Sequence, residues 1–177
     1  MNYCTQCGAK VELRIPEGDT RPRHVCQRCG EIHYLNPKLV IGCIAEWEDR
    51  ILLCRRAIEP RHGLWTLPAG FMENGESTSH TAARETLEEA CAHVEIVQFF
   101  QLINIPHINQ VHLFYQGKMR NNHFGAGEES LETALFPESD IPWDDLAFRS
   151  VRVCLQTYFS DRRSGRFGFH ETTLAPA

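Results

Sequence analysis

Apolar positions in this chain fall into short runs broken by turn residues, and the spacing within each run predicts its element. Residues 39–47 are almost continuously apolar, which predicts a buried strand. Glu48, Asp49 and Arg50 read as a turn, and Ile51 to Cys54 as the returning strand. Residues 64–71 are apolar but interrupted by Pro68 and Gly70, the mark of an irregular strand or loop. Residues 77–91 are helical in composition. Val94 to Ile105 and Val111 to Met119 predict two further strands, and Leu131 to Phe136 another. Residues 120–130 are rich in Asn and Gly and predict a mobile loop. A second helix is expected over 145–159, where Leu146, Val151, Cys154, Leu155 and Tyr158 keep roughly helical spacing. Residues 164–177 are polar and hold at most a short strand. Strands and helices mixed without regular βαβ alternation predict an α+β or mixed α/β fold.

Residues 1–35 differ in kind. They carry little apolar matter, and a segment so short needs a staple in place of a core. Asn36-Pro37 reads as a junction, with the main domain over 36–177. Cys4-x-x-Cys7 and Cys26-x-x-Cys29 are 18 residues apart, the spacing of a two-knuckle zinc site. Four thiolates close a tetrahedral shell and leave no position for water, so such a zinc is structural. Two disulfides or four free thiols are the alternative. Cys43, Cys54, Cys91 and Cys154 are scattered among apolar residues, which points to buried thiols in a reducing compartment. The chain runs straight into Cys4 without a basic leader, so a cytoplasmic location is expected. No run approaches the roughly 18 apolar residues of a membrane span. The net charge of −5 argues against a chain whose main task is gripping nucleic acid.

The candidate chemistry lies on the first helix. At about 100° per residue, Glu85, Glu88 and Glu89 share one arc, while Ala83, Leu87 and Ala90 fall opposite. The apolar face is expected to pack on a sheet with the three carboxylates turned outward. Like charges within one turn repel, and a hard divalent cation such as Mg²⁺, which prefers oxygen ligands and shares phosphates, relieves that repulsion. A solvated acidic face is the other reading of the three glutamates alone. The preceding segment shifts the balance. Gly70 lets a backbone carbonyl approach an ion, and Glu76 and Arg84 can pair and fix the loop to the helix.

These positions resemble the Nudix box, Gly-x5-Glu-x7-Arg-Glu-U-x-Glu-Glu-x-Gly-U, in which U is a bulky aliphatic residue. Gly70, Glu76, Arg84, Glu85, Glu88 and Glu89 match it. Thr86, Cys91 and Ala92 depart from it, at packing and helix-end positions. The resemblance implies an α/β/α sandwich around a mixed sheet, preceded by the zinc ribbon. It implies Mg²⁺ or Mn²⁺ held by Glu85, Glu88 and Glu89 with the carbonyl of Gly70, and Arg84 and Glu76 as orienting partners. It also implies a glutamate that activates the attacking water. Glu88 is one candidate. Glu128, Glu129 and Glu132 beside Leu131 are the others, with Glu129 preferred over its reading as an exposed loop acid.

The resemblance extends to Tyr34-x-Asn36-Pro37 and Gly63-Leu64-Trp65-x-Leu67-Pro68-x-Gly70, which together with the ribbon look like the zinc-ribbon Nudix subgroup. That subgroup includes NADH pyrophosphatases and ADP-ribose/FAD pyrophosphatases. The Ser-Gln-Pro-Trp-Pro-Phe-Pro-x-Ser motif of the NADH type is missing. Gln101-Leu102-Ile103-Asn104-Ile105-Pro106-His107 stands there instead. ADP-ribose or FAD is therefore the expected substrate, cut to release AMP. NADH or NAD-cap cleavage, mRNA decapping and a non-catalytic nucleotide-binding module are the rivals. Arg55 and Arg56, with Arg61, could meet phosphates. Phe71, Trp65, Phe99, Phe100, Phe114 and Tyr115 could serve as platforms for a ring, and His107 and His112 as ligand contacts. The resemblance also implies a homodimer.

Overall fold

The computed structural model describes residues 1–176; Ala177, the end of the expected main domain, lies outside the described residues. The chain divides into two compact units, residues 1–37 and 38–176 as described. In the first, β1 (Val11–Arg14), β2 (Arg23–Cys26) and β3 (Ile32–His33) form an antiparallel sheet in that order. Its apolar residues are few, and Leu13, Ile15 and Tyr34 are exposed. The two cysteine pairs stand in place of a core. The four sulfurs lie within 4.8 Å of one another. Cys4 and Cys29 are 3.7 Å apart and Cys7 and Cys26 3.5 Å. A tetrahedron with metal–sulfur bonds of about 2.3 Å has edges near 3.8 Å, so the set fits zinc. The amides of Gln6, Arg28 and Cys29 point at Cys4 and Cys26 Sγ, which favours thiolates there. The Cys26 thiol is lowered to about 6, chiefly by the Cys29 amide.

The second unit is an α/β/α sandwich. Its strands are β4 (Lys38–Trp47), β5 (Arg50–Arg56), β6 (Trp65–Thr66), β7 (Ala69–Phe71), β8 (Val94–Ile105), β9 (Gln110–Met119), β10 (Ser130–Phe136) and β11 (His170–Thr173). The main order is β10-β5-β4-β9-β8-β11, with β6 beside β5 and β7 beside β4. The β4–β9 and β8–β11 pairs are parallel and the others antiparallel, so the sheet is mixed. Side chains alternate across each strand. Ile41, Cys43 and Ala45 of β4 and Leu52 and Cys54 of β5 meet Ala82 and Ala90 of α1 (Thr78–Ala90). Ile44, Ile51, Leu53, Phe100, Ile103 and Phe114 meet Val151, Leu155, Tyr158 and Phe159 of α2 (Arg149–Ser164). The near-continuous apolar run of β4 thus has a helix against each face. Among the described residues no helix is long and apolar enough to cross a membrane.

The structure corrects the start of the second helix and adds contacts to the 120–130 loop. The second helix begins at Arg149, not Asp145. Trp143–Asp145 form a 3-10 turn, after which the amide of Ala147 donates to the carbonyl of Trp65 at 2.8 Å and Leu146 bridges to Trp65, which holds Leu146 extended ahead of the helix. The loop expected to be mobile is hydrogen-bonded to the end of α1: Gly125 and Gly127 donate to the carbonyls of Ala90 and Glu89 at 2.9 and 3.0 Å. Phe124 packs on the core under α1.

Candidate active site

Ser77 opens α1 by accepting from the amide of His80 at 3.2 Å, a cap of about 1 kcal/mol. The buried residues of the helix are Thr81, Ala82, Glu85, Thr86, Glu89 and Ala90, while Leu87 is 41% exposed. The expected division of faces is therefore corrected. Ala82, Thr86 and Ala90, spaced i, i+4, i+8, make a narrow stripe that lets the helix sit close on the sheet. Thr86 donates its hydroxyl to the carbonyl of Ala82 at 2.7 Å, so its polar atom is satisfied. Glu85 and Glu89 flank this stripe and are carried inward with it.

Strand β7 brings the backbone to them. A Cβ on Gly70 would stand 2.3 Å from Glu85 Oε2, so glycine lets that carboxylate lie against the chain where a side chain would push it aside. The amide of Ala69 donates to Glu89 Oε2 at 3.1 Å. Arg84 binds the loop before the helix. Its Nε donates to Glu76 Oε1 at 2.7 Å and its Nη2 to Glu76 Oε2 at 3.0 Å and to the carbonyl of Phe71 at 3.1 Å. Glu76 also accepts from Thr81 and from the amide of Glu73. The guanidinium holds the Glu76 carboxyl down at about 2. Glu76 is thus a fixed anion whose acceptors are filled by this loop.

Arg84 Nη1 donates to Glu85 Oε1 at 2.7 Å and to the exposed Glu88 Oε2 at 2.8 Å. The carboxylates therefore turn toward the guanidinium. Among the described residues only the four cysteines are gathered to within 4.8 Å in the manner of a closed ligand set. Burial raises Glu85 and lifts Glu89 to about 8, and the charge of Glu129 pushes both the same way. Glu89 has the Ala69 amide as its partner, and Arg84 is already shared among three acids. The donors of Glu85 and Glu89 are all oxygen and buried, those of Glu88 are oxygen and exposed, and one guanidinium is shared among the acids beside them. This chemistry fits a hard divalent cation.

The carboxylates open on a cleft of about 1310 Å³ whose lining includes Gly70, Phe71, Arg56, Arg61, His107, Glu128 and Glu129. Arg56 is buried, donates to the carbonyl of Pro60 at 2.8 Å and lies over the ring of Phe148, 5.1 Å from its centroid. Phe71 is half exposed, with Lys38 Nζ 5.0 Å above it. The deep wall carries Ile105, Phe114, Val151 and Leu174. Set in it, His112 Nε2 lies 2.9 Å from Gln110 Oε1 and Nδ1 lies 3.1 Å from Ser150 Oγ. Burial lowers His112 to about 4, so the ring is neutral, donating to Gln110 and accepting from Ser150.

Several sequence candidates lie elsewhere. Arg55 is exposed, donates to the carbonyl of Gly63 at 2.9 Å and faces Glu132 at 3.6 Å, off the cleft wall. The structure thus places Arg55 and Glu132 in a surface pair beside the cleft and not among the residues that line it. Phe100 is core, Trp65 meets Phe136 edge to face, and Phe99 meets Tyr115 edge to face away from the cleft. Sequence reasoning missed Phe148, Gln110 and Ser150. Nothing in their local pattern marks them, since α2 and β9 bring them together only in the fold.

The chain matches the family model described as NUDIX domain over residues 36–153, and that described as Nudix N-terminal over residues 2–35. Among solved structures it is similar to a NUDIX hydrolase from Nitrosomonas europaea, at 52% identity and TM-score 0.95, covering 98% of this chain and 99% of that one. An ADP-ribose pyrophosphatase from Streptococcus suis shares the fold at 23% identity and TM-score 0.64, over 77% of this chain and 99% of that one. Among curated proteins, the NAD-capped RNA hydrolase NudC of Photobacterium profundum is 34% identical over 101 residues, 56% of this chain and 35% of that protein. The chain spans between about a third and three-fifths of the length of the curated relatives it matches.

Proposed function

This chain belongs to the Nudix hydrolase family, and from that premise we propose that it cuts the diphosphate of a nucleoside diphosphate linked to a second moiety, ADP-ribose or FAD first, releasing AMP. The observation that carries this reading is the buried Glu85–Glu89 pair opening on a cleft that also holds the buried, stacked Arg56. Glu85, Glu89 and Glu88, with the carbonyl of Gly70, would hold Mg²⁺ or Mn²⁺. Such a cation supplies charge neutralisation of the diphosphate and acidifies water. Arg56 takes phosphate oxygens, its guanidinium already desolvated by Phe148. Phe71 offers a face to one ring of the substrate, and Arg84 and Glu76 fix the loop that carries it. Glu129 accepts the proton of the attacking water as the new phosphorus–oxygen bond forms. The bridging oxygen leaves with the other phosphate.

A second reading is NAD-cap or NADH cleavage, favoured by the similarity of residues in this chain to proteins named NAD-capped RNA hydrolases. The test is a panel of FAD, ADP-ribose, NADH and NAD-capped RNA compared by kcat/KM with Mg²⁺ and Mn²⁺. AMP released fastest from ADP-ribose or FAD is the expected result, with Glu89→Gln inactive yet folded. Preference for the NAD-capped RNA transfers the assignment to the second reading. Full turnover in Glu89→Gln sinks both.

A further inference from the structure

The loop between β9 and β10 does more than join two strands. A helix leaves its last carbonyls without intrahelical partners. Here the amides of Gly125 and Gly127 fill two of them, on Ala90 and Glu89. The approach at Gly127 is very close. A Cβ there would stand 1.7 Å from the carbonyl oxygen of Glu88 and 2.8 Å from its carbon, contacts that real side chains do not make. Gly127 is not in left-handed backbone, so glycine is demanded by proximity alone. Gly125 is different: a Cβ there meets nothing within 4 Å.

The chain from Gly127 to Glu129 is short and tied at both ends. The carbonyl of Gly127 accepts from Ser130 at 3.1 Å, which closes the turn carrying Glu128 and Glu129. The amide of Ala57, just past β5, donates to the carbonyl of Glu129 at 2.8 Å. The backbone that Gly127 touches belongs to Glu88 and Glu89 themselves. One separation, from Gly127 to the end of α1, therefore governs how far Glu129 stands from the carboxylate pair on that helix.

We propose that Gly127 is the positioning residue of this site: its missing side chain lets the loop seat on the carbonyl end of α1 and so sets Glu129 against Glu85 and Glu89. The inference rests on the reading of Glu129 as the group that takes the proton of the attacking water. Gly127→Ala must lift the loop by roughly an ångström or more, and a displacement of that size costs on the order of 100-fold in turnover.

The test combines exchange and kinetics on the full chain. In the metal-free wild type, the amides of Gly125 and Gly127 are protected from hydrogen exchange. In Gly127→Ala that protection falls while β4, β8 and β9 keep theirs. With ADP-ribose and Mg²⁺, kcat of Gly127→Ala falls about 100-fold while KM stays within about twofold. Gly125→Ala behaves as wild type. Glu129→Gln is strongly impaired, and adding Gly127→Ala to it slows it no further, because both changes remove the same contribution. Multiplying losses in the double variant, or wild-type kcat in Gly127→Ala, overturn the inference. Wild-type kcat in Glu129→Gln instead overturns the assignment of Glu129, and the inference falls with it, whatever the exchange data say about the docked loop. Where Gly127→Ala does not fold, the wild-type measurement decides: exchange of the Gly127 amide at the rate of an open loop refutes the seating.

Discussion

Cys91 ends α1 in left-handed backbone, at φ 48° and ψ 25°, with its amide closing on the carbonyl of Leu87 at 2.9 Å. The Nudix box has glycine at this position, so the chain keeps the turn without the residue best suited to it. Left-handed backbone costs a residue with a Cβ about 1–2 kcal/mol. Glycine's greater freedom in the unfolded chain offsets about 0.5–1 kcal/mol of that. The thiol is exposed, so little packing is lost with it. Cys91→Gly is therefore expected to stabilise the protein by about 0.5–1 kcal/mol, a rise in Tm of about 1–4 °C for a chain of this size. Thermal unfolding by circular dichroism, with zinc and a reductant present, reads the shift. Urea unfolding should show a higher midpoint at unchanged slope. Turnover should not change, because Cys91 is not on the cleft wall. A Tm equal to or below that of the parent refutes the reasoning: the left-handed turn would then carry no strain that glycine removes.

Burial holds His112 at about 4 in the folded protein against an ordinary 6.5. The folded state thus favours the neutral ring, and its contribution is complete above pH 6.5 and lost as pH falls from 6.5 toward 4. The loss amounts to about 3 kcal/mol across that window. Urea-unfolding free energies of the wild type and His112→Gln from pH 4 to 7.5 should diverge, with the variant flatter; parallel curves would refute this. Arg56→Ala should lower kcat/KM for ADP-ribose by at least about tenfold, the worth of one charged hydrogen bond. Arg55→Ala, which removes an exposed pair with Glu132, should stay within about twofold; equal losses in the two would put phosphate binding elsewhere.

The sheet was legible because its strands are apolar runs bounded by turn residues. Residues 39–47 and 94–105 appear as strands close to their expected bounds; burial on both faces leaves the first little choice of residue, while the second keeps exposed positions in its first half. The start of α2 was not legible. Asp145 and Leu146 fit a helical pattern, but Asp145 closes a 3-10 turn, and the hydrogen bond from Ala147 to Trp65, which lies far away in sequence, holds Leu146 extended. The same limit applies to the loop at 120–130. Asn and Gly report local freedom, and local freedom says nothing about the two helix carbonyls that await an amide. Composition therefore suggested mobility where the fold supplies an anchor.

The candidate site divides along the same line. Spacing alone brought Glu85, Glu88 and Glu89 to one turn, and the pairing of Glu76 with Arg84 follows from their charges and proximity. Depth did not follow from spacing. A helical wheel turns all three glutamates outward, where water would solvate them and no cation would be needed. In the fold, a stripe of Ala82, Thr86 and Ala90 is narrow enough for the helix to settle close, and the glutamates on its flank are drawn down with it. Glu85 and Glu89 end with under a tenth of their surface exposed, whereas Glu88, one turn round, remains in solvent. Small residues on the packing face thus decide the electrostatics of the face beside it. Enlarging the stripe would lift the carboxylates back toward water and weaken the demand for a cation without touching a single charge.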